Sequence, residues 1–278
     1  PQSGLRVTCD MVRFQDFPAV EWLVCFENAG SADTKIVERV QACDIVLRAP
    51  PLTAPGYRLH RTKGGVPDPS HFEVTEDPVD SQHPQTLRAG GGRSSTEDFP
   101  FFKIDCGRGS LIVAVGWSGC WTADAVCPAD RNLRLTAGLE QTHFLLHPGE
   151  KVRMPRMLAL LWEGDSCDAN ARFRELIYKH YAARRAGERL MPMLFCNTCF
   201  TRGGGWLNEC NADNQISLIH AYAPLGLEAL LTDAGWFRGG WPGGAGNWTP
   251  RADAYPQGMG PVAAAAQTHG MVYGLWFE

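Results

Sequence analysis

The sequence lacks the features that mark membrane proteins and nucleic-acid-binding proteins. None of its apolar runs approaches the ~18 residues that a membrane-spanning helix needs, so we expect no membrane partner. The formal net charge is only -4, with basic and acidic residues mixed, so no nucleic-acid partner is predicted either. The first ten residues contain no initiator Met and no signal-like segment. We therefore expect the natural start of the protein to be missing or processed.

A complete metal-binding motif is also missing, although the sequence contains ten cysteines. Only Cys196 and Cys199 have the spacing of a metal-ligating pair, and Cys210 is their one near neighbour along the chain. A structural zinc site needs four ligands, with a second close pair. We predict no metal and interpret the cysteines as small apolar residues of a reducing compartment, which favours the cytoplasm.

The first half of the sequence has the alternating pattern of β-strands. In the run AVEWLVCFEN, every second residue from Val20 to Phe26 is apolar and would share one face. The run SLIVAVGW alternates in the same way, and MLALLWEG is a shorter apolar run. Turns rich in Pro and Gly separate such runs, as in a large antiparallel sandwich. Residues 49–95 contain few apolar runs, and we predict long loops between strands there.

In the second half, helical and strand patterns alternate. Asp168 is a candidate cap for a connecting helix that begins DANARFRELIYKHY. We then predict the strands LMPMLFCN (a buried strand), LEALLTD and MVYGLWFE. The helices between them are NADNQISLIHAYAPLG, with Asn211 as cap and Gly226 as stop, and GPVAAAAQTHG, which Gly270 closes. Alternating strands and helices indicate a parallel sheet, which is either an open doubly wound sheet or a (β/α) barrel.

The segments that follow the strands favour the barrel. An open nucleotide-binding sheet should have a glycine-rich turn directly after its first strand. Here the first strand enters the long loop NTCFTRGGGWLNECN, whose glycines lack that spacing. In barrels, functional side chains gather at the C-terminal ends of the strands. Asn197, Asp233, Trp236 and Trp276 all fall at such ends.

The length of the barrel segment predicts that the barrel is incomplete. Three strands fall in residues 189–278, whereas a complete eight-stranded barrel takes ~250 residues. We therefore expect the chain to be a piece of a longer protein. The predicted domains are a β-sandwich in residues 1–166, a connecting helix and linker in residues 167–188, and the barrel segment in residues 189–278.

The run LLTDAGWF contains the residues whose chemistry most clearly indicates a function. Asp233 would end a strand, where an ionised carboxylate offers two acceptor oxygens to adjacent sugar hydroxyls. Gly235 would allow a tight turn that brings Trp236 over the same site, where an indole face can cover the apolar face of a pyranose. A helix-capping Asp beside a packing Trp is the alternative interpretation. Five tryptophans in the barrel segment shift the balance towards sugar binding; these are Trp206, Trp236, Trp241, Trp248 and Trp276.

The sequence resembles glycoside hydrolase family 36, the bacterial α-galactosidases. DAGWF and then GNWTPRADAYPQGMGPVAAAAQTHGMVYGLWFE are similar to the start of that family's barrel. VEWLVCFENAG, GGGRSSTEDFPFF, VGWSG and HPGEKVRMPRMLALLWEGD resemble its N-terminal β-supersandwich, in the same order. The resemblance implies an antiparallel β-supersandwich followed by the first three strands of an incomplete (β/α)8 TIM barrel. It also implies hydrolysis of α-galactosides with retention of configuration, without metal or organic cofactor, and a homo-oligomer, often a tetramer.

The resemblance assigns roles to individual residues. It makes Asp233 the carboxylate that holds the galactose hydroxyls, and Trp236 and Trp276 aromatic walls of the same subsite. Asn197 matches a polar position after the first strand, and Arg93 matches a loop of the sandwich that leans over the barrel mouth. No catalytic residue is assigned, because the family places its catalytic aspartates on later strands, beyond Glu278. The fragment alone is therefore expected to be inactive.

Two alternatives to an α-galactosidase remain open from the sequence. Cys199 stands where the resemblance would lead us to expect Trp, which makes an α-N-acetylgalactosaminidase on the same scaffold an alternative. A non-catalytic carbohydrate-binding protein is the second, since aromatic residues and one carboxylate are sufficient for recognition.

Overall fold

The structure, a computed structural model, describes residues 4–49, 56–65, 68–107, 109–201 and 206–277. The chain divides into two compact units, Pro1–Ala182 and Ala183–Glu278. The three-part division into residues 1–166, 167–188 and 189–278 stays a prediction. No helix among the described residues is long and apolar enough to span a membrane.

The first unit is an antiparallel β-sandwich, as the alternating pattern predicts. Its described strands are β1 (Leu5–Arg13), β2 (Ala19–Asn28), β3 (Val37–Glu38), β4 (Cys43–Leu47), β5 (Tyr57–Arg61), β6 (Thr75–Val79), β7 (Gln85–Arg88), β8 (Phe101–Asp105), β9 (Gly109–Gly116), β10 (Trp121–Val126), β11 (Leu133–Leu139), β12 (His143–Phe144), β13 (Lys151–Arg153) and β14 (Arg156–Glu163).

Two large sheets form this sandwich. The order in the larger sheet is β1-β2-β14-β9-β8-β5-β6, with β13 also paired to β2, and the order in the smaller sheet is β4-β11-β10-β7. The main core lies between them, with Val113 of β9 and Met157 of β14 on one side and Trp121 of β10 and Leu135 of β11 on the other. Burial of such side chains stabilises the fold by roughly 1.5–3 kcal/mol each.

A helix covers the second face of the larger sheet, so the central strands are apolar on both sides. Helix α1 (Ser166–Leu176) buries Phe173 and Leu176 against Ile112 of β9 and Leu160 of β14. This explains why SLIVAVGW and MLALLWEG are almost continuously apolar. A π-helical turn, Ile177–Tyr181, extends the helix.

The predicted cap of this helix is wrong by three residues. The helix begins at Ser166, and the carboxylate of Asp165 accepts a hydrogen bond from the backbone N–H of Cys167 at 2.6 Å. Asp168 lies in the first turn, where its negative charge still stabilises the positive end of the helix dipole.

The loops predicted for residues 49–95 are also partly wrong, because β5, β6 and β7 lie within this stretch. In β5, buried Tyr57 and Leu59 alternate with exposed or half-buried polar residues. The strands are only four or five residues long, and the Pro, Asp and His residues around them conceal the alternation in the sequence.

The second unit contains the predicted parallel strands. A short hairpin, β15 (Arg184–Arg185) and β16 (Glu188–Arg189), precedes β17 (Phe195–Asn197), β18 (Ala229–Thr232) and β19 (Val272–Leu275). These three pair in parallel in the order β17-β18-β19, with helix α2 (Ala212–Tyr222) after β17 and helix α3 (Gly260–Thr268) after β18. The sheet is not closed, in agreement with the predicted partial barrel.

The helix signals in this unit are confirmed. Asn211 caps α2, its side chain accepting from the N–H of Asn214, and the side-chain oxygen of Asn214 accepts in return from the N–H of Asn211. Gly226 and Gly270 have the positive φ that ends a helix. The buried strand predicted from LMPMLFCN is wrong, because only Phe195–Asn197 is a strand and Leu194 and Phe195 are exposed.

Candidate functional site

Asp233 is held in a fixed position at the C-terminal end of the middle strand, β18. Its Oδ2 accepts a hydrogen bond from Asn197 Nδ2 at 2.7 Å, and Asn197 ends the neighbouring strand β17. Its Oδ1 accepts from the backbone N–H of Ala234 at 2.6 Å. The carboxylate is half-buried, and each oxygen keeps a further lone pair that can accept a hydrogen bond from a ligand hydroxyl.

The turn after β17 fixes both partners of this hydrogen bond. Asn197 Oδ1 accepts from the N–H of Cys199 at 2.8 Å, which leaves its amide N–H groups directed to Asp233. The hydroxyl oxygen of the fully buried Thr198 accepts from the backbone N–H of Asp233 at 3.1 Å. Sequence reasoning missed Thr198, and its position directly after a strand was the one available signal.

The predicted tight turn at Gly235 is present. Gly235 has a φ of +92°, and a Cβ placed there would lie 2.6 Å from the backbone carbonyl carbon of Leu207. A side chain is excluded here both by the backbone conformation and by this close approach. The turn allows Trp236 to return towards the end of the sheet.

Trp236 is only 2% exposed and belongs to a cluster of aromatic side chains. Its ring stacks on Trp248 with a centroid distance of 6.1 Å and packs edge-on against Phe237 and Phe277. Its indole N–H donates to the backbone oxygen of Trp276 at 3.0 Å. The role of Trp236 as an open wall of a sugar site stays a prediction.

Trp276 is half-buried and lies at the same end of the sheet as Asp233. Its backbone N–H donates to the oxygen of Thr232, the residue before Asp233, at 2.9 Å. Trp241 packs edge-on against its ring at 5.1 Å. Sequence reasoning counted the tryptophans of this cluster but missed Phe237 and Phe277. Trp206 is exposed.

A network of buried hydrogen bonds links the last residue of β18 to helix α2 and to β19. Thr232 donates to Gln215 Oε1 of α2 at 2.6 Å, and Gln215 Nε2 donates to the Tyr255 hydroxyl at 2.5 Å. The Tyr273 hydroxyl of β19 lies 2.8 Å from the Thr232 hydroxyl. Burial raises the pKa of Tyr273 to about 12 and raises the pKa of Tyr255 further, so both phenols stay neutral in their hydrogen bonds.

Two cysteines near the site, Cys199 and Cys210, have raised pKa values, which favours their neutral thiol form. Burial, and then the negative charge of Asp233, raise the pKa of Cys199. Burial also raises the pKa of Cys210, whose thiol lies 3.4 Å from Thr198 Oγ1. Within the described ranges, no three His, Cys, Asp or Glu side chains are grouped closely enough to hold a metal ion.

The remaining predicted residues lie elsewhere. Arg93 belongs to the first unit, is exposed, and its backbone oxygen accepts from the N–H and hydroxyl of Thr96. Its role in sugar binding stays a prediction. Glu278, which ends the sequence, lies outside the described residues.

Comparisons with known proteins agree with this architecture. Residues 155–278 match the sequence profile of the Melibiase family. α-Galactosidase 2 of Pediococcus pentosaceus is 28% identical over 223 residues, which are 75% of this chain and 30% of that protein. A variant of α-galactosidase AgaA from Geobacillus stearothermophilus, solved in complex with raffinose, superposes with a TM-score of 0.79 at 19% identity over 99% of this chain. The α-galactosidase of Lactobacillus brevis superposes with a TM-score of 0.81 at 16% identity over the whole chain.

The chain combines an antiparallel β-sandwich with the first parallel strands of a barrel, and it has an anchored carboxylate at a strand end, where barrels place their functional residues. Residues 155–278 are similar to the Melibiase family, and the chain has the fold of glycoside hydrolase family 36 α-galactosidases. The resemblance inferred from the sequence is thereby confirmed. The chain spans 30% of the Pediococcus protein, 38% of the AgaA chain and 37% of the L. brevis chain.

Proposed function

We propose that this chain forms the amino-terminal part of a retaining α-galactosidase, in which Asp233 binds hydroxyls of the terminal galactose. The observation that carries the proposal is the anchored carboxylate at the end of β18. Asn197 and the Ala234 N–H each occupy one lone pair of Asp233, so its remaining lone pairs have fixed directions. Fixed acceptors discriminate between sugars that differ in the orientation of a hydroxyl, because a misdirected hydroxyl leaves a buried partner unpaired.

The relatives support the substrate class. The Pediococcus protein and AgaA are both named α-galactosidases, and AgaA variants were solved with raffinose and with stachyose. Both sugars are oligosaccharides, and we propose an α-galactoside oligosaccharide or glycoconjugate as the substrate of this protein. The half-buried ring of Trp276 would cover the apolar face of the galactose beside Asp233, with Trp236 packed behind its backbone.

Retention of configuration needs two carboxyl groups ~5–5.5 Å apart, one as nucleophile and one as general acid and base. Asp233 and Asn197 share a hydrogen bond, so this part of the site holds one carboxylate and one amide. We assign Asp233 to binding, and the proposal places both catalytic carboxyl groups on strands that this chain does not include. Asn197 acts by positioning Asp233.

The Asp233→Asn variant of the full-length protein tests the proposal. Loss of charged hydrogen bonds to the sugar should lower kcat/KM on an aryl α-galactoside by about 10²–10³-fold. Asp253→Asn, which changes a 76% exposed carboxylate of the same unit, should leave kcat/KM within about twofold. Equal effects of the two substitutions would contradict the assignment.

The identity of the reaction is tested separately. Proton NMR of the first product should show α-galactose, and β-galactose as the first product would exclude a retaining mechanism. A higher kcat/KM on the aryl α-N-acetylgalactosaminide than on the aryl α-galactoside would instead establish the α-N-acetylgalactosaminidase that Cys199 suggests.

Coding sequence after Glu278 without a Lys-x-Asp motif would favour a non-catalytic carbohydrate-binding protein.

The cytoplasmic compartment and the homo-oligomer remain proposals. The sequence supports the first through its ten cysteines, all of which are free thiols in the structure. Fractionation of the native source cells with an antibody against the chain tests the compartment.

A further inference from the structure

Two loops lie against each other at the C-terminal end of the parallel sheet. The first follows β17 and is described over residues 198–201 and 206–211, and the second follows β18 over residues 233–259. A Cβ on Gly235 would lie 2.6 Å from the Leu207 carbonyl carbon, and a Cβ on Gly240 would lie 2.4 Å from Asn208 Oδ1. The absence of a side chain at both glycines therefore allows the first loop to approach the second.

The side chain of Asn208 binds both backbone polar groups of Trp241 in the second loop. Asn208 Oδ1 accepts a hydrogen bond from the Trp241 N–H at 2.7 Å, and Asn208 Nδ2 donates to the Trp241 oxygen at 2.9 Å. Two hydrogen bonds to one residue fix its orientation as well as its distance. An amide can donate and accept in this way, whereas an ionised carboxylate of the same shape only accepts.

Arg251 holds the backbone of Asn208 in place. Arg251 Nη2 donates to the backbone oxygens of Asn208 at 2.6 Å and of Cys210 at 3.1 Å. The backbone N–H of Arg251 donates to the Trp236 oxygen at 3.0 Å. The Arg251 side chain is only 16% exposed, so water competes little for these hydrogen bonds, and its charge strengthens them. The first loop therefore presents the Asn208 amide to Trp241 from a fixed backbone.

Trp241 is the nearest aromatic ring to Trp276 among the described residues. The two rings meet edge-on, with centroids 5.1 Å apart and an interplanar angle of 89°. The rings of Phe237 at 6.4 Å and Trp248 at 6.5 Å are more distant. The hydrogen bond from the Trp276 N–H to Thr232 fixes only the backbone of Trp276. The orientation of the Trp276 ring therefore depends on its neighbours, and an edge-on contact favours one angle between two rings.

We propose that Asn208 is a positioning residue that holds the Trp276 ring in place through Trp241. This inference deepens the proposed function and rests on it, since there Trp276 covers the apolar face of the galactose beside Asp233. Asn208 is exposed, so water competes for its hydrogen bonds, and the fold does not depend on them. Trp276 covers the sugar alike in the bound substrate and in the transition state. Loss of its alignment should therefore weaken the binding of both equally.

Substitutions at Asn208 in the full-length protein test this role. Asn208→Asp keeps the shape of the side chain but replaces the donor by an oxygen that repels the Trp241 oxygen. KM on an aryl α-galactoside should rise about three- to tenfold, and kcat should stay within about twofold, because uniform binding is lost. Asn208→Ala removes both hydrogen bonds without repulsion and should change KM in the same direction. Asn247→Asp, at an exposed asparagine of the second loop, should leave both constants within about twofold.

A double-mutant cycle tests whether Asn208 acts through the Trp241 ring. Trp241→Ala removes this ring and should raise KM to a similar extent. Asn208→Asp added to Trp241→Ala should then change KM by less than about twofold, because the contact that transmits its effect to Trp276 is already absent. Increases in KM that multiply in the double variant would show two independent effects and would overturn the proposal.

Fluorine NMR of the full-length protein labelled with 5-fluorotryptophan gives a readout that needs no turnover. Single Trp→Phe substitutions assign the signals. Asn208→Asp should shift the signals of Trp241 and Trp276 and leave that of Trp121, which is buried in the sandwich, unchanged. The unchanged Trp121 signal also shows that the variant is folded. Asn247→Asp should shift neither the Trp241 nor the Trp276 signal.

The two readouts separate this inference from the proposed function. No turnover of the aryl α-galactoside by the unchanged full-length protein would contradict the proposed function, and the fluorine signals alone would then decide the positioning role. A Trp276 signal that does not move in Asn208→Asp would overturn that role. In an active enzyme, an unchanged KM in Asn208→Asp, or a loss of kcat without a rise in KM, would overturn it as well.

Discussion

At the scale of single residues, the hydrogen bond between Asn197 and Asp233 links the ends of β17 and β18. Asp233 and Asn197 were both expected at strand ends, because apolar runs stop directly before them. Their direct hydrogen bond could not be predicted, since it depends on which strands are neighbours and on the Cys199 N–H that orients the Asn197 amide. The burial of Trp236 could not be predicted either, because it results from four aromatic rings that meet only in the folded chain.

Gly235 should be intolerant of any side chain. Gly235→Ala is expected to destabilise the second unit by about 2–4 kcal/mol, since it combines an unfavourable positive φ with a clash against the Leu207 backbone. Gly246→Ala is the matched control, because Gly246 has a φ of +94° but a Cβ there meets no atom within 4 Å. Its cost should be limited to about 1–2 kcal/mol of backbone strain. Urea unfolding measures the loss of stability in both variants. Equal losses would contradict the close approach of the Leu207 backbone to Gly235.

The thiol of Cys199 should report on the charge of Asp233. Burial is the larger cause of its raised pKa and the carboxylate is the second. Asp233→Asn should therefore accelerate alkylation of Cys199 by iodoacetamide at neutral pH by only about threefold. Peptide mass spectrometry follows this one cysteine among ten, and Asp253→Asn again serves as the control. An unchanged rate in Asp233→Asn would show that the carboxylate does not act on the thiol.

At the scale of secondary-structure elements, sequence signals that depend on adjacent residues correctly predicted where the helices of the second unit begin and end. Signals for strands were less accurate, because a strand also needs a neighbouring strand to pair with. The Asn211 cap and the glycine stops depend on adjacent residues, and they are confirmed. The run LMPMLFCN is apolar enough for a buried strand, but a strand also needs a neighbour, and only Phe195–Asn197 pairs with β18. Helix α1 starts earlier than predicted, because Asp165 and Asp168 are equally good caps in sequence terms.

The buried carboxylate of Glu21 should be important for the end of the α1 segment. Glu21 on β2 is only 6% exposed, accepts from Arg156 Nη1 at 2.5 Å, and accepts from the hydroxyl of Tyr181 in the π-helical turn. Glu21→Gln places an amide against the guanidinium and should lower the free energy of unfolding by about 1–3 kcal/mol. Glu163→Gln, on the exposed end of β14, should stay within about 0.5 kcal/mol. Thermal or urea unfolding measures both variants, and similar losses of stability in Glu21→Gln and Glu163→Gln would contradict this role.

At the scale of the whole molecule, the order of a sandwich followed by parallel strands was readable from the change in hydrophobic period alone. The change from alternating runs to strand–helix repeats distinguishes the two units, although it does not show which strands pair within each unit. The smaller sheet of the sandwich was less visible, because its edge strands β4 and β7 are short. Pairing of this kind joins strands that are far apart in the sequence, so local patterns do not predict it.

The second unit should lose stability at alkaline pH. The folded state raises the pKa of Tyr273 to about 12 and that of Tyr255 further, above the value of about 10 for an unfolded chain. Their contribution is therefore complete below about pH 10 and is lost as the pH rises towards the folded values, because the unfolded state releases those protons first. Urea midpoints between about pH 8 and about pH 11 should fall, and Tyr273→Phe should reduce the slope. A midpoint independent of pH would contradict the burial of these phenols.

The hydrogen-bonded chain from Tyr255 through Gln215 to Thr232 ties the strand that carries Asp233 to two neighbouring elements of the fold. Substitutions that shift this carboxylate would therefore also disturb the core, and natural variation there would be costly. Among the described residues, the Cys199 side chain joins no such hydrogen-bonded chain, and its backbone N–H is the group that holds Asn197. Under the proposed function, changes in sugar preference should consequently arise by exchange of the side chain at position 199, while Asp233 stays constant.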